Sequence, residues 1–217
     1  EPALDYIVIK IPRWDLEKFK NVEFKLGSEM KSVGEVMAIG RCFEEVLQKA
    51  LRMLGIGLHG VVANTIKLKH DVKYELENPT DKRVLAVAEA LKSKYSVDKI
   101  HSLSKIDKWF LYKIKNIIDM EKQLKKHSIK KVPADLVQKA KQQGYSDFQI
   151  ARCLFKTTKY HENVLQVREF RKQNNIVPVV KQIDTLAAEY PAKTNYLYMT
   201  YNGAEDDVKK KKKKAIV

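Results

Sequence analysis

Ser28-Glu29-Met30-Lys31-Ser32-Val33-Gly34-Glu35-Val36-Met37-Ala38-Ile39-Gly40-Arg41 is the stretch from which the rest of the chain is read. Val33, Val36 and Ile39 sit among small residues, with Gly34 and Gly40 bracketing a short apolar run. This predicts a buried strand, in which glycine lets another backbone come close. Beyond Gly40 the period lengthens. Phe43, Val46, Leu47, Ala50, Leu51 and Leu54 recur at helical spacing, and Gly55 follows as a C-terminal stop. The unit reads as strand, turn and amphipathic helix, with Glu44 and Glu45 expected to face solvent.

Upstream, Asp5 to Ile11 is mostly β-branched and apolar, which predicts a second strand ended by Pro12. Asp15 to Phe19 has room for one helical turn. Downstream, residues 55–78 begin with several glycines and lack a clean period, so they read as a connection at a domain boundary. From Asn78 onward the signals are helical. Asn78-Pro79-Thr80-Asp81 starts a helix carrying Val84, Val87, Ala88 and Leu91, and Ser96 opens a short one with Val97, Ile100 and Leu103. Ser104 with Asp107 starts the longest, to about Lys126, with Ile106, Phe110, Leu111, Ile114, Ile117, Ile118 and Leu124 as its apolar set. Phe110 is expected inward, and Trp109 at least half covered. Pro133 marks a helix start, Gly144 its stop, and Ser146 with Gln149 a capping box. A further helix spans 159–173. Thr185 to Ala188 fits a helical turn, Tyr196, Tyr198 and Tyr201 an extended tail, and Ala215-Ile216-Val217 the start of a buried strand.

Composition narrows the function classes. A hydrophobic content of 44% permits a packed core, and no run approaches the ~20 apolar residues of a membrane span. Cys42 and Cys153 read as free thiols of a reducing compartment, and the five histidines lack metal-ligand spacing. Glu1-Pro2, without a basic or hydrophobic leader, reads as a chain cut from something longer. The net charge is +15, and the run Lys209 to Lys214 supplies six of these charges, leaving +9. A solvated lysine-rich helical surface accounts for that balance. The alternative is a basic helix-turn-helix nucleic-acid-binding protein, since residues 133–176 hold short helices joined by Gly144-Tyr145-Ser146.

The letters carry more than the periods. Met-Lys-Ser-Val-Gly-Glu-Val-Met-Ala-Ile-Gly-Arg at 30–41 closely resembles the end of the first ATP-grasp domain of the carbamoyl-phosphate synthetase large chain. Lys10-Ile11-Pro12-Arg13-Trp14-Asp15, Ile106-Asp107-Lys108-Trp109-Phe110-Leu111 and Val180 to Pro191 resemble the same family in the same order. The block Leu76 to Arg83 with Tyr95-Ser96-Val97-Asp98 is most similar to the multifunctional pyrimidine-pathway enzyme, with the mitochondrial urea-cycle form as the alternative. Gly55 to Val72 and the lysine run depart from the family's pattern.

The resemblance implies a mainly α fold, a helical oligomerisation domain preceded by a small α+β piece of an ATP-grasp domain. It divides the chain into 1–56 (end of the first ATP-grasp, carboxyphosphate domain), 57–78 (connection), 79–203 (oligomerisation domain with extended tail) and 204–217 (linker and start of the second half). The implied parent is a ligase making carbamoyl phosphate from bicarbonate and glutamine or ammonia nitrogen. Its implied cofactors are ATP, magnesium and potassium, and its partners the remaining ATP-grasp halves, a glutaminase domain or subunit, and further copies in a homo-oligomer. It implies no membrane and no nucleic-acid partner, and a cytoplasmic or alternatively mitochondrial place. The resemblance puts no catalytic, cofactor or metal residue in this stretch. It does put Leu4, Met30, Val33 and Glu35 on the wall of an interior tunnel for carbamate, an intermediate that must be kept from bulk water. Lys31 and Arg41 lie too far along an extended chain to pair with Glu35, so its partner is expected from elsewhere in the parent or from water.

Overall fold

The computed structural model describes residues 4–18, 21–23, 25–65, 67–157, 160–187, 189–191, 193 and 196–208. The lysine run and the strand expected at 215–217 lie outside these residues, as does Ala188; residues 185–187 form a turn. Strand β1 (Ile7–Arg13) pairs antiparallel with β2 (Gly34–Gly40), from Ile7 opposite Gly40 to Arg13 opposite Gly34. The strand period of two separates the faces. Ile7, Ile9, Ile11, Val36 and Ala38 pack on Val46 and Ala50 of helix α1 (Phe43–Met53), while Val8, Lys10 and Met37 stay exposed. Pro12 does not end β1, contrary to expectation, but sits within it opposite Glu35. Among the described residues β1 has one strand neighbour, so a missing amide donor on its outer edge breaks no ladder bond.

After α1 the chain turns at Gly55 with φ +65°. The stretch read as a connection buries Leu58, Val61 and Val62 and then forms a short helix, α2 (Val72–Glu77), capped by Asp71 and carrying the fully buried Leu76. Helices α3 (Arg83–Lys92), α4 (Val97–Ser104), α5 (Lys108–Leu124), α6 (Ala134–Gln142), α7 (Asp147–Leu154) and α8 (Tyr160–Gln173) follow. The fold is therefore mainly α with a small α+β piece at the front. Ser96 and the Ser146–Gln149 capping box act as read from the sequence. Ser104 does not open the long helix. It ends α4, donating its hydroxyl to Ile100 O at 2.7 Å, and Asp107 caps α5 instead. Strands β3 (Val179–Gln182) and β4 (Leu197–Thr200) pair antiparallel, with Val179 opposite Thr200.

One apolar cluster runs through these helices. Leu47, Leu51 and Leu54 of α1 belong to the same core as Leu91, Ile117, Leu124, Ile150 and Val167. Phe110 corrects an expectation: it is 44% exposed rather than inward, and Trp109 is 50% exposed. Both rings lean on Phe43 at the start of α1, with centroids 5.3 and 5.4 Å away. The turn between α6 and α7 lies directly on α1. Gly144 has φ +82°, and a Cβ there would sit 2.7 Å from the Glu45 Cα. Next to it, Tyr145 is 1% exposed and donates its hydroxyl to the Ile117 carbonyl.

Gly144→Ala meets both obstacles, a left-handed backbone that disfavours a side chain and a backbone neighbour that cannot rotate away. We expect it to lower unfolding free energy by at least ~2 kcal/mol in urea titration. Gly27→Ala, with open space around its Cα, serves as the control.

Candidate functional site

The tunnel residues implied by the resemblance lie on or beside the first sheet. Met30 and Val33 precede β2 and are 89% and 55% exposed, with the Val33 amide donating to Arg13 O at 2.8 Å. Glu35 is exposed on β2, and its carboxylate pairs with Lys10 Nζ at 2.5 Å, across the ladder and two residue pairs along. The expectation that its partner must come from elsewhere or from water is corrected by this contact. Lys31 and Arg41 are out of reach along the strand, whereas antiparallel pairing brings in a residue 25 positions away. Leu4, exposed, precedes the β1 residue that faces Gly40. It thus sits off the opposite end of the ladder, ~17 Å from Glu35 even at five residue steps. Val33 and Glu35 flank Gly34 at the start of β2, Met30 lies five residues before Glu35, and Leu4 lies at the other end of the ladder.

The most enclosed polar site was not visible in the sequence. Glu44 and Glu45, expected to face solvent, are 5% and 2% exposed. The Glu45 carboxylate accepts from the Arg41 amide at 3.0 Å, Lys49 Nζ at 2.6 Å, Thr200 Oγ1 at 3.0 Å and Asn202 Nδ2 at 2.9 Å. Gly40 makes room for it, because a Cβ at that position would sit 2.8 Å from the carboxyl group. Lys49 also donates to Ile39 O of β2 at 3.0 Å and to Met199 O of β4 at 2.7 Å, joining two sheets that share no backbone ladder. One and two turns on, Gln48 donates to Gln143 O at 2.9 Å and accepts from Gln149 Nε2 at 2.7 Å, and Arg52 donates to Gly144 O at 2.9 Å. Burial pushes Arg52 down to about 10. Glu45, Gln48, Lys49 and Arg52 form the polar stripe of α1, and the chain folds back over it. Glu44, on the flank, accepts from Asn116 Nδ2 at 2.8 Å.

A second buried ion cluster ties α6, α7 and α8. Asp147 accepts from Lys141 Nζ at 2.9 Å and bidentately from Arg171, at 2.8 and 2.7 Å. Burial pushes Lys141 down to about 8, against the pull of Asp147. Burial also raises the Asp147 carboxyl, but Arg171 and Lys141 more than offset this and hold it below the usual range. Two basic residues of the 133–176 region, Lys141 and Arg171, are thus turned inward. Cys42 and Cys153 are free thiols, and burial pushes Cys153 up to about 12. Among the described residues no group of three or more His, Cys, Asp or Glu is placed to hold a metal. Among the described residues no helix is long and apolar enough to cross a membrane. Chemically these clusters hold segments together: each carboxylate oxygen of Glu45 and Asp147 already accepts at least one hydrogen bond.

Residues 35–175 match the family described as carbamoyl-phosphate synthetase large chain, oligomerisation domain. The chain belongs to this family. Relatives agree along nearly its whole length. It is 51% identical over 210 residues to multifunctional protein pyr1-3 of Dictyostelium discoideum, covering 96% of this chain and 9% of that protein. It is 51% identical over 214 residues to the mitochondrial carbamoyl-phosphate synthase [ammonia] of Mus musculus, covering 96% of this chain and 14% of that one. It is 53% identical over 210 residues to the mitochondrial arginine-specific carbamoyl phosphate synthase large chain of Neurospora crassa, with 96% and 17% covered. The chain thus spans under a fifth of the length of these relatives. Nothing in these similarities supports the helix-turn-helix alternative. The family match begins inside β2 and runs through α8, across the expected 57–78 connection.

Glu45→Ala leaves Lys49, Thr200 and Asn202 facing a cavity, and we expect a loss of about 3 kcal/mol in chemical denaturation, with Thr200→Val losing about 1 kcal/mol. Lys141 adds a pH dependence. Its folded-state value lies near 8 against an ordinary 10.5, so between these limits the unfolded chain holds the extra proton and stability rises with pH. Relative to Lys141→Met, the native protein should gain on the order of 2 kcal/mol between pH 7.5 and 10 in parallel urea titrations.

Proposed function

We propose that this chain is the part of a carbamoyl-phosphate synthase that closes the first ATP-grasp half and carries the oligomerisation module. The observation that carries this reading is identity of about half the residues, over 96% of the chain, to proteins named as carbamoyl-phosphate synthases. The parent is an ATP-dependent ligase that joins bicarbonate with glutamine- or ammonia-derived nitrogen, and this piece contributes structure, subunit contacts and a stretch of carbamate tunnel. The pyrimidine-pathway form in the cytoplasm is the reading we favour, with a mitochondrial form as the second, since relatives of both descriptions match equally well. The partners are the remaining ATP-grasp halves, the glutaminase domain or subunit, and other copies of the chain. ATP, magnesium and potassium would belong to centres outside this stretch.

Within that parent, Met30, Val33 and Glu35 form a lining of two apolar side chains and one carboxylate beside the start of β2. A mostly apolar wall of this kind keeps bulk water from a labile intermediate. In the complete synthase, Glu35→Ala is expected to spare bicarbonate-dependent ATP hydrolysis and to lower carbamoyl phosphate formed per ATP. Equal loss of both activities would mark a folding defect, and unchanged coupling would remove Glu35 from the tunnel. For the isolated chain, calorimetric titration with magnesium-ATP is expected to show no stoichiometric binding in the micromolar range.

A further inference from the structure

One cleft belongs neither to the sheet residues nor to the buried ion clusters. It has a volume of about 390 Å³ and lies between the stretch 61–72 and helix α3, a size that suits a small organic molecule. Leu85, Ala88, Glu89 and Lys92 recur at steps of three and four, so α3 turns one face into it. Val61, Leu68 and Val72 close it from the other side and, with Leu85 and Ala88, give it an apolar lining continuous with the core. That far wall comes from the segment that departs from the family's pattern, so the resemblance implies nothing about it.

The charged groups around this lining are not all satisfied. Asp71 accepts from the Tyr74 amide at 3.0 Å, and the Lys92 ammonium lies 3.6 Å from the Glu121 carboxylate. Lys67 and Glu89, both exposed, remain. Neither side chain has a hydrogen bond or ion pair with any described residue, and the two do not pair with each other. A cleft that offers one free cation, one free anion and an aliphatic lining is matched by a molecule carrying both opposite charges and an aliphatic body. A simple anion would face Glu89, and a simple cation would face Lys67.

We propose that this cleft binds a free α-amino acid with an aliphatic side chain, its carboxylate on Lys67, its ammonium on Glu89 and its side chain on the apolar lining. The site stands apart from the synthase reading and does not depend on it. Because both charges sit at an open mouth, screening by water keeps the affinity modest.

Titration of the full isotope-labelled chain with L-leucine, followed by amide chemical shifts, tests this. Saturable shifts should appear within 61–72 and 85–92, with Kd of about 1 mM or below. 4-Methylpentanoate, which lacks the ammonium, and 3-methylbutylamine, which lacks the carboxylate, should each bind about 5-fold more weakly. Lys67→Met should weaken leucine by a similar factor yet leave 3-methylbutylamine unchanged, and Glu89→Gln should weaken leucine yet leave 4-methylpentanoate unchanged. Both variants alter exposed side chains, so their melting should match the native protein. No saturable shift by about 10 mM leucine overturns the proposal. So does 4-methylpentanoate binding as tightly as leucine, which would mark a plain anion site, or leucine binding that neither variant weakens.

Discussion

A carboxylate that is 2% exposed must be met by donors, and Glu45 draws its donors from three separate parts of the chain. The Arg41 amide comes from the end of β2, Lys49 from the next turn of α1, and Thr200 and Asn202 from β4 and the turn beyond it. The placement of β2, α1 and β4 around this point follows from satisfying that charge. Gly40 has no side chain because the carboxyl group occupies the space, and β4 lies where its hydroxyl and carbonyl reach Glu45 and Lys49. The two small sheets are joined through side chains, the Lys49 ammonium group among them, rather than through a ladder, so each remains two-stranded among the described residues and leans on α1.

The polar stripe of α1 extends this logic toward the helical body. Gln48 and Gln149 bond to each other, and Arg52 holds the carbonyl of Gly144. Together with Gly144 pressed onto the Glu45 backbone, these contacts fix the α6–α7 turn on α1. The small front piece and the helices therefore form one packed unit, with apolar residues on one side of α1 and satisfied polar residues on the other. Buried polar networks of this sort rigidify only when complete, which makes single truncations within them costly. In a large synthase such a unit would keep the first half and the segment that leads onward in a constant relation.

Ion placement also separates the readings of the positive charge. Lys141 and Arg171 look available for an anionic partner in one dimension but are consumed by Asp147 in three. Exposed apolar and aromatic side chains gather at two places: Met30, Val33 and Met37 at the sheet, and Trp109, Phe110 and Tyr112 at the α5 end. Both belong to a chain whose relatives are far longer than itself.

Much of the molecule was legible from the sequence alone because local rules decide it. Strand and helix periods located β2, α1 and the helical run, Ser96 and the Ser146–Gln149 box capped the helices read from them, and the 30–41 motif pointed to the family. Some local readings failed where a competing residue stood close by: Asp107 displaced Ser104 as the α5 cap, and an edge position let Pro12 stay inside β1. Tertiary structure alone decided the fate of charges and of helix ends. Glu45 has the pattern of a solvent-facing residue, and two of its partners lie 155 and 157 positions away, beyond any period. Lys10 reached Glu35 only through strand pairing, and Phe110 carries the letters of a core residue at a point where the core has ended. Periodicity records which face of an element is apolar; what covers either face depends on contacts between distant segments, which only folding brings together.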